Sequence, residues 1–166
     1  YDDKKLVELF LQFPSVRWQI FSKHTKQPYH VGRISVFPVS GDDFVQSVVN
    51  SSGVLCGAGF ETPAEVLHLN KKLLVVPMKS QYEQKCNAVA LKKMGVPVLK
   101  KVKKRSLERI EKWLDSNKRI DISYPEVAGK AVARWFKKFG CTEDAGVRSS
   151  RSAGESVILI THSYRQ

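Results

Sequence analysis

The spacing of apolar and polar positions changes several times along the chain, and each change marks an element. Leu6, Val7, Phe10 and Leu11 fall at i, i+1, i+4 and i+5, one face of a helix over residues 3–12 that Pro14 ends. Val16, Trp18 and Ile20 then alternate with polar neighbours, the period of a strand, and Phe21 extends the run. After a loop carrying Lys23, His24 and Pro28, the residues Ile34, Val36, Phe37 and Val39 predict the next strand. Ser40, Gly41, Asp42 and Asp43 open a helix through Phe44, Val45, Val48 and Val49, and the polar run 50–53 stops it. Val54, Leu55 and Cys56 form a short strand that is apolar throughout. A helix over 62–69 and a second continuous apolar strand over 73–77 follow. The next helix, 81–94, carries Tyr82, Cys86, Val89, Ala90 and Met94 along one face and stops at Gly95. Residues 96–99 read as a last short strand. Ser106 caps a helix with Leu107, Ile110, Trp113 and Leu114 inward. Pro125 starts another, with Ala128, Ala131, Trp135 and Phe139 along one face.

Strands that are apolar throughout and alternate with helices imply a parallel sheet covered on both faces. With right-handed crossovers the expected class is α/β, a Rossmann-like doubly wound parallel sheet. The chain opens on a helix where such domains open on a strand, so the first strand is expected to be missing from a domain over residues 1–140. Residues 141–166 are rich in Ser and Arg and then turn apolar at Val157, Ile158, Leu159 and Ile160. The pattern gives this tail no place in the fold.

Composition narrows the class. A chain of 166 residues suffices for one domain with a real core. No apolar run approaches the roughly 20 residues needed to cross a bilayer, and a soluble, cytoplasmic protein is expected. Cys56, Cys86 and Cys141 are odd in number and lack close pairing, which disfavours a disulfide framework and a zinc site and suits a reducing compartment. His24, His30, His68 and His162 show no metal-ligand spacing. The net charge of +12 points to an anionic partner: an anionic membrane surface, a phosphorylated ligand or nucleic acid. Its densest run is Lys100, Lys101, Lys103, Lys104 and Arg105, which is equally well a solvated surface. No recognised nucleic-acid motif accompanies it, so nucleic acid is the disfavoured partner.

Two segments of one shape follow the two apolar strands. Thr62, Pro63, Ala64 and Glu65 offer a cap, a proline at the first helical position and an acid; Ser80, Gln81, Tyr82 and Glu83 repeat the cap and the acid. Both fit the capping box, which accounts for the two glutamates without any ligand. It leaves Gly57 and Gly59 unexplained, and glycines there let a backbone approach a phosphate at a helix start. It also leaves Gln81, Gln84 and Asn87, whose amides suit a ligand with many hydroxyls. In a doubly wound sheet both turns leave carboxyl ends of strands and face one crevice, where ligands bind.

The stretch "GAGFETPAEVLHLNKKLLVVPMKSQYEQKCNAVALKKMG", extended back through "FPVSGDDFVQSVVNSSGVLC", resembles the donor-binding, C-terminal half of the GT-B glycosyltransferases, the MurG-like and UDP-glucuronosyltransferase-like enzymes among them. The likeness covers roughly residues 16–96. It implies that Glu65 bonds the ribose of a nucleotide-sugar and that Gly57, Gly59 and Thr62 face its diphosphate. Glu83 and Gln84 would hold the sugar, with Asn87 bracing that loop. Ser40 and Gly41 would meet the base, with Phe44 beside it. It further implies a UDP-sugar as substrate with no cofactor, and an acceptor domain or subunit outside this chain that brings the catalytic base, so that the chain alone binds donor without turnover. Three rival readings remain: the donor subunit of a two-part transferase, half of a nucleotide-sugar epimerase, and a basic nucleic-acid-binding domain.

Overall fold

The computed structural model describes residues 2–39, 41–121 and 156–161. The chain divides into two compact units, Tyr1–Ile120 with Gly154–Gln166, and Asp121–Ala153; the sheet and the helices around it belong to the first. The expected helix at 125–139 lies outside the described residues.

The elements in order are α1 (Asp3–Phe10), β1 (Arg17–Ser22), β2 (Tyr29–Val31), β3 (Ile34–Pro38), α2 (Gly41–Asn50), β4 (Gly53–Cys56), α3 (Glu61–His68), β5 (Lys72–Val75), α4 (Tyr82–Lys93), α5 (Leu107–Asp115) and β6 (Ser156–Thr161). A 3-10 turn, Lys104–Ser106, leads into α5. The six strands form one sheet in the order β2-β3-β1-β6-β4-β5. All neighbours run parallel except β2, which pairs antiparallel with β3 at the edge. The alternation of helices with parallel strands read from the sequence is therefore the observed architecture.

The unplaced apolar segment near the C-terminus is the central strand. β6 pairs with β1 from Arg17↔Ser156 to Ser22↔Thr161 and with β4 from Gly53↔Val157 to Leu55↔Leu159. It joins β1 and β3 to β4 and β5 into a single sheet. Residues 96–99 supply only an isolated bridge, Val75↔Val98. β2 falls in what the sequence reads as a loop; all three of its residues are exposed, and an edge strand needs no apolar pattern.

Successive side chains of a strand point to opposite faces, and both faces of β1 are covered. On one face, Leu6, Val7 and Phe10 of α1 and Ile110, Trp113 and Leu114 of α5 pack on Trp18, Ile20, Ile34, Val36, Leu55 and Leu74. Phe10 stacks on Trp18 with ring centroids 4.1 Å apart. On the other, Phe21 stacks on Phe37 and takes the edge of Phe44 from α2 at 5.3 Å. Lys72, 4% exposed, satisfies its ammonium on the last turn of α5, donating to the Leu114 carbonyl at 2.7 Å beside the Trp113 ring. Gly53 makes that approach possible, since a Cβ there would stand 3.1 Å from Trp113.

Helix α4 departs from its apolar stripe, the face a surface helix ordinarily buries. Tyr82 (80% exposed), Cys86, Val89 and Met94 face outward. The buried positions are Gln84, Ala88 and Leu91. The inward face is chosen by Gln84, whose amide completes the loop before the helix.

Candidate functional site

Because β1, β3, β4, β5 and β6 are parallel, their carboxyl ends lie along one edge of the sheet. The turns after β4 and β5 meet there. Asn87 Nδ2 donates to the Ala58 carbonyl at 3.2 Å, so α4 holds the glycine turn in place. Gln84 Oε1 accepts from the Met78 N–H at 3.0 Å, and its Nε2 donates to Gln81 Oε1 at 2.6 Å. A Cβ on Gly57 would lie 3.4 Å from the same Gln84 oxygen. A Cβ on Gly59 would meet nothing within 4 Å, so the backbone there borders open space.

Neither turn forms the expected capping box. The cap of α3 is Phe60, two residues before the expected Thr62, and no side chain caps the helix. That start puts Pro63, Val66 and Leu67 inward, a buried i, i+3, i+4 set. Pro63 remains within the first turn, where a missing N–H costs nothing. A capping box needs its acid at the third helical position, which Pro63 fills, so Glu65 is not used in capping and stands exposed. α4 begins one residue later than expected, with Gln81 at the cap and again no capping side chain. Glu83 is thereby left exposed in the first turn, and Gln84 takes the third position.

The structure thus gathers Gly57, Gln84 and Asn87 around the turn at Ala58, and leaves Gly59, in the same turn, bordering open space. Glu65 and Glu83 stand exposed on α3 and α4, and Thr62 lies half-buried in the first turn of α3. Phe44 is tied to the sheet through Phe21. Gly41 is the first residue of α2, and Ser40 lies outside the described residues.

Two features of this edge escape sequence reasoning. One is a polar knot at the carboxyl end of β1. Asp3 Oδ2 accepts from Ser22 Oγ at 2.7 Å and from Thr25 Oγ1 at 3.2 Å, which fixes the start of α1. Asp3 Oδ1 is buried and takes no hydrogen bond among the described residues. No short-range pattern signals residues so far apart in sequence. The other is a cleft of about 880 Å³ between α1, residues 76–80 and residues 100–105. The basic run was legible; its facing wall was not.

Of the titrating groups, Cys56 is pushed up to about 12 by burial, which keeps it a thiol and removes it as a nucleophile. Tyr82 is raised, chiefly by its hydrogen bond with Cys86. Lys71 is lowered, first by burial and then by Arg119. Among the described residues no group of three or more His, Cys, Asp and Glu side chains could hold a metal ion. None of the described helices is long and apolar enough to cross a membrane.

The sequence profile of glycosyl transferase family 1 matches residues 2–117. No curated protein and no solved structure gives a significant match.

Proposed function

The chain belongs to glycosyl transferase family 1, and from that premise we propose that it is the donor half of a GT-B enzyme, doubly wound and of the MurG-like and UDP-glucuronosyltransferase-like kind, which holds a UDP-sugar for transfer to an acceptor hydroxyl. The observation that carries the reading is the lock between the two turns: Asn87 on the Ala58 carbonyl, and Gln84 beside Gly57. A glycine turn held rigidly beside the next turn, at the carboxyl edge of a parallel sheet, is a preorganised cradle for one extended ligand.

The parts divide as follows. The open backbone at Gly59 and the uncapped start of α3, with Thr62, face the diphosphate. Helix N–H groups there offset its charge. Glu65 takes the ribose hydroxyls and Glu83 the sugar hydroxyls. Gln84 and Asn87 hold the cradle, and Gln84 keeps one N–H for the sugar. The base would be met by Ser40 and Gly41, with Phe44 beside it. In the transfer, the acceptor oxygen bonds to the anomeric carbon as the bond to the diphosphate breaks. The hydroxyl proton goes to a base carried by a separate acceptor domain or subunit. The leaving diphosphate gains charge, which the start of α3 stabilises.

Calorimetric titration with UDP and UDP-sugars tests this. Wild type is expected to bind UDP, and Glu65→Ala to bind it about 10- to 100-fold more weakly with an unchanged melting temperature, the size of a lost hydrogen bond to a charged group. Absence of UDP binding by the wild type, or equal binding by Glu65→Ala, would sink the proposal.

A further inference from the structure

The cleft between α1 and the basic segment is built rather than incidental. Lys79, Lys100, Lys101, Lys103, Lys104 and Arg105 line one side, and Lys5 stands on the α1 side; only Asp2 and Glu8 oppose them. The run is pinned at several points. Leu99 N–H donates to the Val75 carbonyl at 2.9 Å, and Val102 is buried in the core. Ser106 Oγ takes the Lys103 N–H at 2.8 Å and gives its own proton to the Lys103 carbonyl at 2.6 Å. A merely solvated run needs no such anchoring. The floor is apolar, formed by Leu6, Leu9, Val76, Val102 and Met78.

We infer that this cleft is a docking site for anionic phospholipid at a membrane surface, the headgroup phosphate on the lysines of residues 100–104 and the upper acyl carbons on the apolar floor. Fixed cations over an apolar floor complement an anionic amphiphile better than a free anion, which has nothing to place on the floor. Nucleic acid fits less well, because none of the described lining residues is aromatic and bases need surfaces to stack on. The volume of about 880 Å³ lies within the usual range for a ligand cleft of roughly 300–1,000 Å³. The cleft shares residues 77–80 with the second turn of the candidate donor site, so docking there would bring the donor crevice against the membrane. The inference does not depend on the donor reading.

The test is flotation of the full chain with phosphatidylcholine vesicles, with and without phosphatidylserine. Binding is expected only with phosphatidylserine. Lys101→Gln/Lys104→Gln is expected to lower partitioning about 25-fold, since each basic residue near an anionic surface is worth about fivefold. Lys92→Gln/Lys93→Gln, exposed on α4, removes the same charge elsewhere and is expected to change partitioning less than about fivefold. Equal losses in the two pairs would mean that net charge and not the cleft acts, which overturns the inference. So would no vesicle binding, full competition by inorganic phosphate, or tighter binding of poly(U) than of vesicles. UDP titration of the same variants separates this outcome from failure of the donor site.

Discussion

At the residue scale, Gly59 separates binding from folding. A Cβ there meets nothing within 4 Å, so Gly59→Ala is expected to melt with wild type while binding UDP about tenfold more weakly, as the methyl group keeps the diphosphate off the backbone. Differential scanning calorimetry beside titration reads both. A fall in melting temperature would make Gly59 a folding residue instead. Cys56 offers a second check. Its ionisation is moved from the ordinary 9.0 up to about 12 by burial. A group raised in the folded state favours folding below its unfolded value and loses that contribution as pH climbs through the folded one. Stability is therefore expected to fall between about pH 9 and about pH 12 in wild type, and less steeply in Cys56→Ala, by urea melts at each pH. In a Cys141→Ser background, exposed Cys86 is expected to react with a thiol reagent well before Cys56.

At the element scale, α4 shows how far a pattern can mislead. The stripe read from Tyr82, Cys86, Val89, Ala90 and Met94 points outward, with Val89 57% exposed, while Leu91, outside that stripe, is buried. Leu91→Ala is expected to cost about 2–3 kcal/mol and Val89→Ala less than about 0.5. Equal costs by urea denaturation would restore the stripe as the inward face. The capping boxes misled in a related way. Thr62 and Ser80 have the right chemistry, but burial of Pro63, Val66 and Leu67 in α3, and of Gln84 in α4, decides where each helix starts. A cap is worth about 1 kcal/mol, less than burying several apolar side chains.

At the scale of the whole molecule, β6 holds the sheet together. Its neighbours are β1 and β4, and without it the sheet would present two unpaired inner edges. Proline cannot donate to a central ladder. Leu159→Pro, at the position paired with Ile20 and Leu55, is expected to abolish cooperative unfolding followed by circular dichroism in urea. A wild-type transition would remove β6 from the centre of the sheet.

The sequence by itself determined the elements with strong periodicity: the apolar strands around Val54 and Leu73, the inward face of α5, and the helix start that buries Leu6, Val7 and Phe10. It also brought the two acid-bearing turns to one edge, because parallel strands send successive loops the same way. These depend on neighbours within a few residues, where side-chain period and burial agree. Tertiary structure alone decided the rest. The central seat of β6, the knot of Asp3 with Ser22 and Thr25, and the facing wall of the basic cleft join residues distant in sequence, and the outward stripe of α4 follows from the bonds of Gln84 to the loop before it. Each follows from which partner fills a space or a hydrogen bond, and local pattern carries no record of that partner.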